Sequence, residues 1–137
     1  MKKLILSVII CISAFCLSAC DDIKPVILFN HNKITKENVM KNDVVFRPNE
    51  RIYYLITIPQ KVETKMLRIM IFKQDSKYET YGYKVQWGKT VRLNDDAENY
   101  YDDYIVINET GAYIMKVYTQ DNPNKVLSSA EFFVRNY

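Results

Sequence analysis

Beyond residue 24, apolar and polar positions alternate with a period of two, the period of a β-strand. The pattern is clearest over residues 51–58, where Ile52, Tyr54, Ile56 and Ile58 fall on one side and Tyr53, Leu55 and Thr57 on the other. Pro59 ends this strand, because proline has no amide hydrogen to give to a ladder. Residues 66–73 repeat the pattern, with Leu67, Ile69 and Ile71 opposing Met66, Arg68, Met70 and Phe72. Tyr81, Tyr83, Val85 and Trp87 form another period-two face, and Gly88 is expected to bend the chain before Val91 and Leu93. Shorter strands are predicted over residues 25–29, 44–46, 104–107, 113–119 and 126–134. Pro48-Asn49, residues 108–111 and residues 121–124 carry turn composition. Residues 94–103 are predicted to be a polar, acidic loop. Residues 30–42 are polar and irregular, with one helical turn at most over residues 34–40. No segment sustains a 3.6-residue stripe. The prediction is an all-β fold, an antiparallel sandwich of about seven to eight short strands.

The first twenty residues follow a different pattern. Lys2 and Lys3 precede an apolar run from Leu4 to Phe15, broken only by Ser7 and Ser13. A charged start followed by an apolar stretch of about 7–15 residues is the layout of a secretory signal peptide. An uncleaved membrane helix needs roughly 20 predominantly apolar residues, more than this run supplies. A plain cleaved signal leaves the cysteine at the cut site unexplained. Leu17-Ser-Ala-Cys20 resembles the lipobox of bacterial lipoproteins. That resemblance implies a diacylglyceryl group on the Cys20 thiol, cleavage before Cys20 and acylation of the new amino terminus. Two acyl chains anchor stably where one binds only marginally. Asp21 directly after the cysteine resembles the inner-membrane retention signal of enterobacterial lipoproteins; otherwise the address is the outer membrane or cell surface, with Asp21 and Asp22 as an acidic tether. The expected organisation is a signal over residues 1–19, a lipidated tether over 20–24 and one domain over 25–137.

Composition narrows the chemistry. The 19 basic and 16 acidic side chains are nearly balanced once Lys2 and Lys3 leave with the signal, so no basic footprint for nucleic acid remains. Cys11 and Cys16 leave as well and Cys20 is acylated, so stability must come from packing without disulfides. His31 is the only histidine and is expected in an exposed loop. With no free thiol beside it, a Cys-His dyad is ruled out and a zinc site disfavoured. Three glycines do not make a phosphate-cradling loop, and no cofactor motif is present. Asn94, Asp96 and Glu98 imitate the start of a calcium loop. The pattern then fails at Asn99, where glycine is needed, and at Ile105, where glutamate is needed. A looser calcium site from Asp95, Asp96, Asp102 and Asp103 is the residual metal candidate.

Glu109-Thr-Gly-Ala-Tyr113-Ile-Met115 resembles the Asp-x-Gly-x-Tyr-x-Cys stretch of immunoglobulin domains. The resemblance implies a tyrosine corner at Gly111 and Tyr113, with the hydroxyl bonded to backbone a few residues upstream. Met115 replaces the family's second cysteine. Val85-Gln-Trp87-Gly-Lys89 looks like the family's core-tryptophan strand, although counting strands places Trp87 one strand late. Residues 129–134 look like the last strand of bacterial immunoglobulin-like or fibronectin-III-like modules. The likeness implies a fold and not an activity.

Eleven tyrosines are too many for one small core. Tyrosine is enriched at interfaces, where its ring packs and its hydroxyl stays bonded. Tyr78, Tyr81, Tyr83, Tyr100, Tyr101 and Tyr104 are the candidate interaction surface, beside the acidic loop. The expected function is a non-catalytic interaction or accessory role in the bacterial cell envelope, with the membrane and an envelope protein as partners. The alternatives are an inhibitor of an envelope enzyme, or a small hydrolase or calcium-binding module using the acidic loop.

Overall fold

A computed structural model describes residues 23–74, 82–96 and 99–136. The fold is all-β. Eight strands form in chain order: β1 (Ile27–Asn30), β2 (Val45–Phe46), β3 (Arg51–Thr57), β4 (Met66–Gln74), β5 (Tyr83–Arg92), β6 (Tyr100–Val106), β7 (Gly111–Thr119) and β8 (Asn122–Val134). They build two sheets, ordered β1-β3-β6 and β2-β8-β7-β4-β5. Every pairing is antiparallel except β2 with β8.

The period-two pattern sets which face is buried. Ile52, Tyr54 and Ile56 of β3 meet Leu67, Ile69 and Ile71 of β4 and Tyr113, Met115 and Val117 of β7 in one core. Phe132 lies fully buried among aromatic rings: Phe29 at 5.0 Å, Tyr113 at 5.4 Å and Phe46 at 6.3 Å between centroids. Rings from both sheets thus interlock at one point, as the inner faces of a sandwich do.

The Tyr113 hydroxyl donates to the Glu109 carbonyl oxygen at 2.7 Å, four residues upstream. Gly111 makes room beside it, because a Cβ there would lie 2.8 Å from Cε of Lys73, whose ammonium pairs with Glu109 at 2.7 Å. Tyr113→Phe is expected to lower unfolding free energy by about 0.5–1.5 kcal/mol, the net value of one such bond. Urea denaturation checks this, and an unchanged midpoint would remove the bond from the stability of the β6–β7 turn.

Four local expectations need correction. Gly88 does not bend the chain, and β5 runs straight through it. The irregularity lies one step earlier: Ile71 pairs with Trp87 but Phe72 with Val85, so Gln86 is the extra residue of a bulge. The bulge breaks the expected face, leaving Trp87 against the core and Val85 and Tyr83 exposed on the opposite side. Trp87 consequently serves an edge strand, while the central positions belong to Ile69 and Ile71 of β4. The acidic loop is shorter than expected, since β6 begins at Tyr100 and takes in Asp102 and Asp103. The last hairpin turns at Gln120-Asp121, because Thr119 already pairs with Asn122. Residues 34–40 close one turn, with the Val39 amide donating to the Thr35 carbonyl at 2.9 Å.

Candidate functional site

The outer face of the three-stranded sheet concentrates exposed apolar and aromatic groups. Alternation sends Tyr53, Leu55 and Thr57 of β3 outward, together with Tyr100, Asp102, Tyr104 and Val106 of β6. Register pairs them as Tyr53 with Tyr104, Leu55 with Asp102, and Thr57 with Tyr100. Such cross-strand neighbours are close enough for their side chains to interact. The Tyr53 and Tyr104 rings lie 5.7 Å apart, and the Arg51 guanidinium sits over Tyr104 at 4.9 Å from its centroid. Arg51 therefore stiffens the ladder by a cation–π contact while staying solvated. Tyr100, Tyr104 and Val106 are 49%, 44% and 52% exposed, which is high for residues of this size in adjacent positions. Residues 33–39 run beside this face. With Leu55, Thr57, Asn99, Tyr100 and Asp102 they bound an open groove of about 570 Å³. Its walls offer Ile34, Val39 and Leu55 for apolar contact and Lys33, Lys36 and Asp102 for charge.

On the other side of β6, Tyr101 and Asp103 point inward. Asp103 Oδ2 accepts hydrogen bonds from Lys89 Nζ at 2.9 Å and from the Tyr101 hydroxyl at 3.1 Å, while Oδ1 accepts the Tyr104 amide at 2.9 Å. Burial alone would raise the Asp103 pKa, but these donors and the Lys89 charge outweigh it and hold the carboxyl below its usual range. Asp103 in turn, with Tyr101, keeps Lys89 protonated beyond the ordinary ammonium value. Lys89 belongs to β5 and Asp103 to β6, so this pair ties the margins of the two sheets together. Tyr54 sits beside it, fully buried, and its hydroxyl has no hydrogen-bond partner among the described residues. Burial, with the Tyr101 and Asp103 charges nearby, pushes its ionisation well above the usual phenol range.

The sequence-predicted residues do not form one surface. Tyr100 and Tyr104 share the outer face of the three-stranded sheet. Tyr101, their neighbour, lies on the inner face and packs against the core. Tyr83 is exposed on the five-stranded sheet. Two sheets and a period of two disperse residues that are adjacent in the sequence. Tyr78, Tyr81 and Cys20 lie outside the described residues. The loose calcium site is not assembled: Asp95 pairs with Lys65 at 2.6 Å, and Asp102 and Asp103 face opposite sides of β6. Among the described residues no three His, Cys, Asp or Glu side chains converge as metal ligands. The same separation deprives a hydrolase of the Asp102–Asp103 pair. His31 lies in the bend after β1 with its side chain partly exposed, where it pairs with Glu50 and lies against the Phe46 ring at 4.7 Å. Arg51, Tyr53, Leu55 and Val106 were missed as members of the face. The alternation over residues 51–58 already placed Tyr53 and Leu55 together, but the late start assigned to β6 hid what they pair with.

No protein-family model matches the chain, and no curated protein matches it in sequence. Solved structures similar in shape include a superoxide reductase (neelaredoxin) from Ignicoccus hospitalis, at 8% identity and a TM-score of 0.47, covering 82% of this chain and 80% of that one. An alkylpurine DNA glycosylase from Pseudomonas fluorescens matches at 18% identity and a TM-score of 0.42, covering 80% of this chain and 30% of that one. A β-glucosidase from Listeria innocua matches at 10% identity and a TM-score of 0.42, covering 83% of this chain and 16% of that one. At these scores the likenesses carry no argument about activity.

Proposed function

We propose that this chain is a lipid-anchored protein of the bacterial cell envelope whose sandwich is a non-catalytic interaction module of immunoglobulin type. The observation that carries the reading is the exposed Tyr53–Tyr104–Tyr100 face with Leu55 and Val106, beside the groove along residues 33–39. Aromatic rings and arginine are enriched in interface cores, and here the Tyr53–Tyr104 pair carries Arg51 over it with Asp102 alongside as a polar contact. The immunoglobulin type is supported by strand order, since β1-β3-β6 and β8-β7-β4-β5 correspond to strands A-B-E and G-F-C-C′. The hydroxyl of Tyr113 on the Glu109 carbonyl supports it too.

The anchor reading rests on the lipobox resemblance at Cys20. The Thr57 amide donates to the Val26 carbonyl at 2.9 Å, so the chain enters the fold at the Thr57–Tyr100 end. Five residues lie between Cys20 and Val26, six chain steps with an extended reach of about 20 Å. A lipid on Cys20 thus holds the domain close to a bilayer.

The test is crosslinking in native cells, with Cys20→Ala and a Tyr100→Ser/Tyr104→Ser double variant as comparisons. Both tyrosines are exposed, so the double variant should stay folded, with its midpoint lowered only by the lost Tyr53 and Arg51 contacts of Tyr104. It should lose its dominant partner by at least about tenfold, the size of one hot-spot contact. Cys20→Ala should leave the membrane fraction. A partner held equally by the double variant would remove this face from the function, and a Cys20→Ala protein still in carbonate-washed membranes would remove the anchor.

A further inference from the structure

The margins of the two sheets are not equally protected. The free edge of β1 is covered, with the Asp43 amide donating to the Phe29 carbonyl at 2.9 Å and Asn42 Oδ1 accepting the Phe29 amide at 2.8 Å. On β6, Asp103 caps the Tyr104 amide. Among the described residues the outer edge of β5 has no such cover, and its backbone pairs with β4 alone. Unpaired strand edges are templates for another strand. The bulge at Gln86 leaves residues 87–92 as a regular, open stretch.

Two features select what could lie there. β5 carries no acidic residue; its Lys89 is already paired with Asp103, which leaves Lys84 and Arg92 as its exposed basic groups, and Arg68 of β4 stands opposite Thr90. A second copy of β5 would bring the same basic set against itself, and like charges across strands repel. Next to this edge, between β5 and β6, lies a slot of about 240 Å³ with Ile71, Gln86 and Trp87 on one side and Ile105 and Ile107 on the other, bordered by Tyr104 and Val106 of the tyrosine face. A strand added beside β5 would extend the five-stranded sheet by one strand spacing, about 4.8 Å, and bring its inward side chains over that slot.

We propose that β5 is a docking edge for an extended acidic segment of a partner protein, which adds as a sixth strand and seats one apolar side chain in the slot beside Trp87. Main-chain bonds then supply affinity, while the slot and the basic residues supply specificity. The slot borders the tyrosine face at Tyr104 and Val106, but the β5 backbone that carries this proposal lies outside that face, so the two readings fail separately.

The test is hydrogen–deuterium exchange on the full chain in a neutral detergent, with a ten-residue synthetic peptide alternating glutamate and leucine as the probe. Residues 84–92 should gain protection. The same peptide with lysine for glutamate, or with alternate amides N-methylated, should bind at least about tenfold more weakly. Lys84→Glu/Arg92→Glu, both exposed, should weaken the acidic peptide by a similar factor with the fold intact. No protection would overturn the proposal, as would equal binding of the N-methylated peptide. Protection confined to residues 51–57 and 100–106 would overturn it in favour of the tyrosine face. Protection of β5 that grows with protein concentration alone would overturn it in favour of self-pairing.

Discussion

Phe132→Ala is expected to destabilise the domain by about 3–5 kcal/mol, the range for deleting a fully buried aromatic side chain. The ring sits where four strands meet: Phe29 from β1, Phe46 from β2, Tyr113 from β7 and Phe132 itself from β8. It stacks on Tyr113 with only 15° between the planes, and meets Phe29 at a tilt and Phe46 edge-on. Removing it costs the transfer energy of the side chain, the cavity left behind and three ring contacts. Single domains have roughly 5–15 kcal/mol in hand, so a large share of the total is at stake. Urea denaturation by tryptophan fluorescence measures this, with Phe132→Leu as a milder comparison that refills part of the space. A loss below about 1 kcal/mol would mean the sheets can close over the gap and that Phe132 does not hold them together.

Tyr54→Phe should act in the opposite direction. The Tyr54 hydroxyl is buried beside Tyr101 and makes no well-formed hydrogen bond among the described residues, and an orphaned polar group costs about 1–3 kcal/mol. Phenylalanine keeps the ring and removes that cost, so the variant is expected to be more stable by about 1–2 kcal/mol. A pH dependence accompanies it. Burial, reinforced by Tyr101 and Asp103, raises the ionisation of Tyr54 in the folded chain far above its unfolded value. The unfolded phenol releases its proton near pH 10 while the folded one keeps it. The native state therefore holds its full stability below about pH 10 and loses about 1.4 kcal/mol per pH unit beyond it from this group. The gap between Tyr54→Phe and the parent should widen from neutral pH to pH 11. A Tyr54→Phe protein less stable than its parent at neutral pH would show that the hydroxyl has a partner, such as a buried water.

The fold was legible because strand periodicity is a local property. Ile52, Tyr54 and Ile56 announce a buried face three residues into β3, and Leu67, Ile69 and Ile71 do so for β4. Interruptions of that period were harder to read. Gln86 carries no sign of a bulge, since a register slip is defined by what lies across the ladder. Asp102 and Asp103 look like loop residues because strands rarely hold paired carboxylates. Asp103 is tolerated within the sandwich only because Lys89, five-stranded-sheet neighbour across the gap, and Tyr101 bond it.

The interaction face shows the same division. The sequence marked tyrosine as the residue in excess and placed Tyr53 and Leu55 on the side of β3 away from the core. It could not say that β6 pairs with β3, so Tyr104 beside Tyr53 and Arg51 over Tyr104 were invisible. By itself the sequence determined the all-β class and the alternation within strands such as β3, β4 and β7. Tertiary structure alone decided which strands became neighbours, which edges stayed open and which tyrosines ended on one surface. The physical reason is range: alternation follows from the geometry of a single strand, whereas neighbours are set by burying two faces against each other across long stretches of chain.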